Sequence, residues 1–101
     1  MSEDERSLVE GINNKDNKAF DRLYTEFFLT LVTVLQNRGA VFHAEDAAQD
    51  AMIKLFRSEK AFESLSDIEA FLYVTAQNRC IDKYRHDQLE IENKERIMDA
   101  L

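Results

Sequence analysis

The chain has no proline and only two glycines, Gly11 and Gly39, in 101 residues. That scarcity constrains the fold more than any other feature. A β-sandwich or barrel turns every ~8–12 residues and draws its turns from such residues. Helices joined by short polar connections need far fewer of them. Hydrophobic residues make up 45% and aromatics 10%, which supplies a core and excludes simple disorder. A chain of this length suits one domain that folds without staples.

Four helical patterns follow along the sequence. The first covers about residues 4–13, with Leu8, Val9 and Ile12 as its apolar edge. "NNKD" breaks it, since Asn and Asp favour turns, and Asp16 or Asn17 is placed to cap the next helix. The second runs from about 17 to 38. Phe20, Tyr24, Phe27, Leu31, Val34 and Leu35 recur at three- and four-residue steps, the stripe of an amphipathic helix. Gly39 follows as its C-terminal glycine. The third begins near Ala44, with Glu45 and Asp46 where the helix dipole favours acids. Its inward stripe reads Ala44, Ala48, Ala51, Met52, Leu55 and Phe56. Its other face carries Asp46, Gln49, Asp50, Ile53 and Arg57, among which Ile53 is the odd apolar residue. "SEKAFESLSD" (58–67) reads as a structured loop, with Ser66 and Glu69 as a capping box. The fourth helix is expected over about 67–87. Ile68, Leu72, Ala76, Cys80 and Tyr84 form its ridge, with Phe71 and Thr75 beside it. The charged tail after residue 87 reads as a linker or a frayed helix.

The formal net charge is −7, which opposes loose, charge-driven binding to nucleic acid. The charge is uneven, however. Residues 1–50 carry five Lys or Arg against ten acids, and residues 71–86 carry three against one. Any nucleic-acid surface is therefore local and relies on a larger partner. Cys80 is the only cysteine, so no internal disulfide forms, and its apolar setting suggests a packed thiol. No apolar run reaches the ~18 residues of a membrane span, and "MSEDERSLVE" is unlike a signal peptide. The expected compartment is the cytoplasm.

Catalysis has thin support. His43 and His86 lack metal-ligand spacing, the acids form no motif and there is no phosphate-binding glycine loop. No enzyme activity, metal or cofactor is expected. Residues 71–86, "FLYVTAQNRCIDKYRH", are more informative. Asn78 suits a base edge, Arg79, Lys83 and Arg85 suit phosphates, and Tyr73 and Phe62 suit stacking or the wall of a pocket. Recognition of single strands uses these residue types, because splayed bases expose π-faces and hydrogen-bonding edges. A solvated helix face is the plainer alternative, and Arg85 is also spaced to pair with Asp82.

Four segments, in order, resemble region 2 of a bacterial RNA polymerase sigma factor of the extracytoplasmic-function group. They are "NKDNKAFDRLYTEFF", "AEDAAQDAMIKLFR", "KAFESLSDIEAFLYV" and "AQNRCIDKYRH", and the resemblance spans about residues 6–87. It implies an all-α, compact bundle of three long helices plus a short N-terminal one. It also implies docking of the third helix on the clamp helices of the polymerase largest subunit. By position that role falls on Asp46, Gln49 and Asp50, with Ile53 as an apolar anchor. The resemblance further implies reading and opening of the promoter −10 element through its non-template strand. The loop, with Phe62 and Ser64, would capture a flipped base. Asn78 would meet a base, and Arg79, Lys83 and Arg85 the backbone, with Tyr73 kept as a DNA-binding residue on its aromatic type alone. Phe71 stands where many relatives carry Trp.

On this reading residues 1–87 form the sigma region 2 domain. Residues 88–101 are a charged linker, or the start of the segment leading to a C-terminal helix-turn-helix domain. No such domain is recognisable here, so the chain is expected to be a fragment. An anti-sigma factor is an expected partner. The alternative function is a helical interaction module that binds an anti-sigma factor or another regulator without recognising DNA.

Overall fold

The computed structural model describes residues 1–100. It contains four helices and no strand among them: α1 (Glu3–Asn13), α2 (Asn17–Asn37), α3 (Ala44–Arg57) and α4 (Leu65–Ala100). Local sequence sets most of the ends. Ser2 caps α1 and Asp16 caps α2, each accepting a backbone N–H in the first turn. Both α1 and α2 end in a Schellman arrangement. At the end of α2, Gly39 takes φ 101°, and the Gly39 and Ala40 amides donate to the Gln36 and Leu35 carbonyls. Gly11 is required for a different reason: a Cβ there would lie 2.5 Å from the Ala19 Cβ, where α1 and α2 approach.

The core is wholly apolar among the described residues. Leu8, Val9 and Ile12 of α1 join Leu23, Leu31, Val32 and Leu35 of α2, Met52 and Leu55 of α3, and Ile68, Leu72, Ala76 and Cys80 of α4. Ala44, Ala47, Ala48 and Ala51 are almost completely buried. These small side chains bring the α3 backbone close to its neighbours, and α3 packs most extensively on α4. Ala47 was not on the stripe read from the sequence. It widens the buried face of α3 beyond a simple i+4 ridge.

Three sequence expectations need correction. The cap of α4 is Ser64, not Ser66: Ser64 Oγ accepts the Asp67 N–H at 3.1 Å. Ser-x-x-Asp places the acid in the first turn, where the dipole favours it, and lets half-buried Leu65 pack as the first helical residue. Phe56 and Tyr84 were expected inside and are 47% and 61% exposed. Periodicity identified their helices, but Phe56 is only partly covered, by Phe20 of α2, and Tyr84 only lines an open cleft with Leu35 and Arg38. Finally, α4 does not stop near residue 87. It continues to Ala100, so residues 88–100 form an exposed helical extension. At 1.5 Å per residue, the 36 residues of α4 explain why the molecule measures 64 × 26 × 19 Å.

Cys80 is 8% exposed and its thiol lies 3.9 Å from the His43 carbonyl. Burial raises its pKa above the ordinary thiol value, against a smaller lowering by Lys83. The thiolate is the nucleophile, so the native chain is expected to react with a disulfide reagent far more slowly than the urea-unfolded chain at pH 8. Equal rates in the two states would contradict this packing.

Candidate functional site

The outward face of α3 is built by residues three and four apart. Asp46, Gln49 and Ile53 are exposed, and Asp50 is partly so. Ile53, 44% exposed, is not isolated. Phe56 and Tyr24 stand beside it, and with Phe20, Gln49 and Met52 they line a shallow cleft of about 450 Å³ between α2 and α3. Phe56 meets Phe20 edge-on, with ring centroids 5.0 Å apart. An apolar centre rimmed by charged and amide groups is the usual anatomy of a protein interface. Sequence reasoning placed Phe56 and Tyr24 on buried stripes and so missed their part in this patch.

The α3 acids face the α4 cations. Arg79 Nε donates to Asp50 Oδ2 at 2.8 Å, and Lys83 Nζ lies 3.6 Å from Asp46 and 3.9 Å from Asp50. The residues expected to meet a protein partner and those expected to meet phosphates are therefore joined in one network. Arg85 has no ion-pair partner among the described residues, and the Asp82 pairing does not form.

A second surface begins at the 58–64 loop. Phe62 is 5% exposed, so its ring offers no open face for stacking. It packs edge-on against Phe71 at 5.5 Å and forms one wall of a cavity of about 710 Å³. Phe71 and Thr75 also line the next cavity, of about 590 Å³, between α3 and α4. The two make one trough that passes from the loop, over Phe71 and Thr75, to exposed Asn78. Lys54, Arg57 and Arg79 line its far half, and Lys60 stands by the loop, 5.7 Å from the Phe62 ring centroid. Lys54 and Lys60 were not singled out from the sequence. Their one signal is the basic last turn of α3 and the loop that follows it. Ser64 serves in the α4 cap, so its hydroxyl is engaged with the backbone.

Tyr73 lies elsewhere. Five residues separate it from Asn78, which is roughly 140° around a helix. It lines a cleft of about 370 Å³ with Leu35, Arg38, Ile81, Tyr84 and Arg85. The Arg38 guanidinium sits 5.3 Å from its ring centroid, and its hydroxyl is buried without a hydrogen-bond partner. The trough and this cleft divide the expected nucleic-acid residues between two faces of α4. An unpaired buried hydroxyl is destabilising. Tyr73→Phe is therefore expected to raise stability by up to ~1 kcal/mol, read as a higher urea midpoint at unchanged slope. A fall in midpoint would show that the hydroxyl has a partner in solution.

The surfaces are thus an acid-rimmed apolar patch on α3, with an amide-bearing trough of mixed charge beside it, where Lys54, Arg57, Lys60 and Arg79 stand among Asp50, Glu63, Asp67 and Asp82, on an all-α scaffold. No helix among the described residues is long and apolar enough to cross a membrane. No group of His, Cys, Asp and Glu among them is arranged to hold a metal ion. The family model for sigma-70 region 2 matches residues 23–90, two-thirds of the chain and all of α3. No curated protein and no solved structure matches it. The match covers both the α3 patch and the trough, and the chain belongs to the sigma-70 region 2 family, the transcription-initiation domain with which sigma factors bind RNA polymerase and recognise promoters.

Proposed function

We propose that this domain, of the extracytoplasmic-function type, docks through α3 on the clamp helices of the polymerase largest subunit. In the trough it takes the non-template strand of the −10 element. The observation that carries the reading is the adjacency of the two surfaces. Arg79 lines the trough and binds Asp50 of the docking face.

Docking uses Ile53, Phe56 and Tyr24 as the apolar centre, with Asp46, Gln49 and Asp50 as the rim. Strand capture uses the wall formed by Phe62 and Phe71, the Asn78 amide, and Lys54, Arg57, Lys60 and Arg79 near the phosphates. Arg85, and Lys83 beside Asp46 and Asp50, add cations farther along α4. Captured bases offset the unstacking cost, which is a few kcal/mol per step. No covalent chemistry is assigned to the domain. Its net charge of −7 opposes DNA binding by the free chain, so strand capture depends on the polymerase.

The test is binding of a fluorescent single-stranded −10 oligonucleotide to core polymerase with and without this chain. Binding should require both proteins and fall when the −10 bases are scrambled. Equal binding with and without the chain would remove the strand-capture role.

A second reading rests on the opposite cleft. Exposed Ile81 and Tyr84 adjoin it, and Val41 and Phe42 of the α2–α3 connection are 63% and 93% exposed. Such an apolar face suits a regulatory protein such as an anti-sigma factor. Loss of an anti-sigma interaction in Phe42→Ser, with polymerase docking retained, would support this reading.

A further inference from the structure

The 58–64 loop holds its shape across a short chain segment that is far away in sequence. The Asn13 side chain binds the backbone of Phe62 on both sides. Its Nδ2 donates to the Phe62 carbonyl at 2.8 Å, and its Oδ1 accepts the Phe62 N–H at 2.9 Å. One amide thus does what a neighbouring strand would do, satisfying both polar groups of a buried residue. Two residues on, the Lys15 ammonium donates to the Leu55 carbonyl at 3.4 Å and to the Ser58 carbonyl. It sits over carbonyls at the C-terminus of α3, where a cation is favoured; the Leu55 carbonyl also accepts the Ser58 N–H at 3.1 Å.

The backbone around these side chains is held in an uncommon form. Lys15 has φ 60°, the only positive value outside glycine among the described residues. Its amide donates to the Ile12 carbonyl and the Asp16 amide to the Gly11 carbonyl, so Lys15 fills the left-handed position of the α1 Schellman motif. Glycine is the ordinary occupant of that position. A lysine there is strained by comparison, and its ammonium contacts supply a reason for its presence.

We propose that the α1–α2 turn, through Asn13 and Lys15, is the positioning element for the loop that forms the start of the −10 trough. The inference rests on the strand-capture reading given above. Neither side chain touches the bound strand. Asn13 fixes where Phe62, and with it the Phe62–Phe71 wall, stands relative to Asn78. Lys15 fixes where the chain leaves α3.

Asn13→Ala removes both hydrogen bonds to Phe62. Lys15→Gly removes the ammonium while suiting the left-handed backbone, so the turn itself is preserved. Amide hydrogen exchange on the full chain reads the loop directly. In Asn13→Ala, exchange at Phe62 should accelerate at least about tenfold, while Leu55 and Leu72 remain protected. Binding of the single-stranded −10 oligonucleotide with core polymerase should then weaken about tenfold. Discrimination between the matched and a substituted base at the captured position should shrink, whereas clamp-helix docking should not change. General loss of stability would not produce that pattern, because it would lower docking and leave the discrimination ratio intact. Lys15→Gly should loosen exchange at Ser58 and weaken strand binding in the same direction.

Unchanged exchange at Phe62 in Asn13→Ala would overturn the positioning role. So would faster exchange with unaltered strand binding and base discrimination, provided Asn78→Ala still weakens binding. If Asn78→Ala also has no effect, the strand-capture reading itself fails and takes this inference with it.

Discussion

Asp50→Lys is expected to abolish docking on the isolated clamp helices of the polymerase largest subunit, with affinity falling about 100-fold, or ~3 kcal/mol. Asp50 is the residue at which the two halves of the network meet. Its carboxylate binds Arg79 at 2.8 Å and lies 3.9 Å from Lys83. Reversal of its charge removes an acid from the rim of the proposed docking face. It also places a third cation beside the two already there. Both effects act against docking, because like charges across an interface repel and desolvated charges need partners. The fold should survive. The Asp50 side chain is 37% exposed and that of Arg79 47%, and surface ion pairs contribute only ~0–1 kcal/mol to stability. Circular dichroism should therefore show the helix content of the wild-type chain. Asp50→Asn keeps the shape and removes only the charge, so its loss should be smaller. Docking of Asp50→Lys within twofold of wild type would place the polymerase contact away from α3.

Asn78→Ala is expected to weaken −10 strand binding by roughly 10–100-fold, or ~1–3 kcal/mol, while docking stays unchanged. Asn78 is exposed and lines the trough, and its side chain makes no hydrogen bond within the described residues. Its amide therefore has both a donor and an acceptor free for a base edge. The substitution is a clean one. Alanine is the better helix former, and an exposed site without partners changes stability by no more than ~0.5 kcal/mol. Reduced binding thus reports a lost contact rather than a damaged fold. The assay uses the single-stranded −10 oligonucleotide with core polymerase, and a melting curve of the free chain serves as control. Undiminished binding would assign the base contact to another residue in the trough.

The helices were legible because each buries one continuous apolar stripe. Ile68, Leu72, Ala76 and Cys80 recur every four residues, and all four are buried. The start of α2 was legible because Asp16 caps it with its own side chain. The start of α4 was misread because two serines, Ser64 and Ser66, each precede an acid by three residues, and sequence cannot rank them. Packing of Leu65 and the Asp67 amide decided for Ser64. The reach of α4 was left open between a linker and a frayed helix. Its extension buries nothing, so no periodic signal decided for helix.

For the functional surfaces, the sequence alone determined the all-α class, the family resemblance, and the acidic and apolar residues at one spacing on α3. These are local properties, carried by side-chain type and a period of 3.6. Only the tertiary structure decided which residues share a surface. It turned Phe56 outward beside Ile53, moved Tyr73 to the face opposite the trough, and paired Arg79 and Lys83 with acids 29 to 37 residues away. It also placed Asn13 against Phe62, 49 residues on. The physical reason is the same in each case. A helix presents every side to something, and its own sequence does not record which neighbour covers each side. That depends on where the other helices pack, and in this chain the near-zero exposure of Ala47, Ala48 and Ala51 sets how closely they do so.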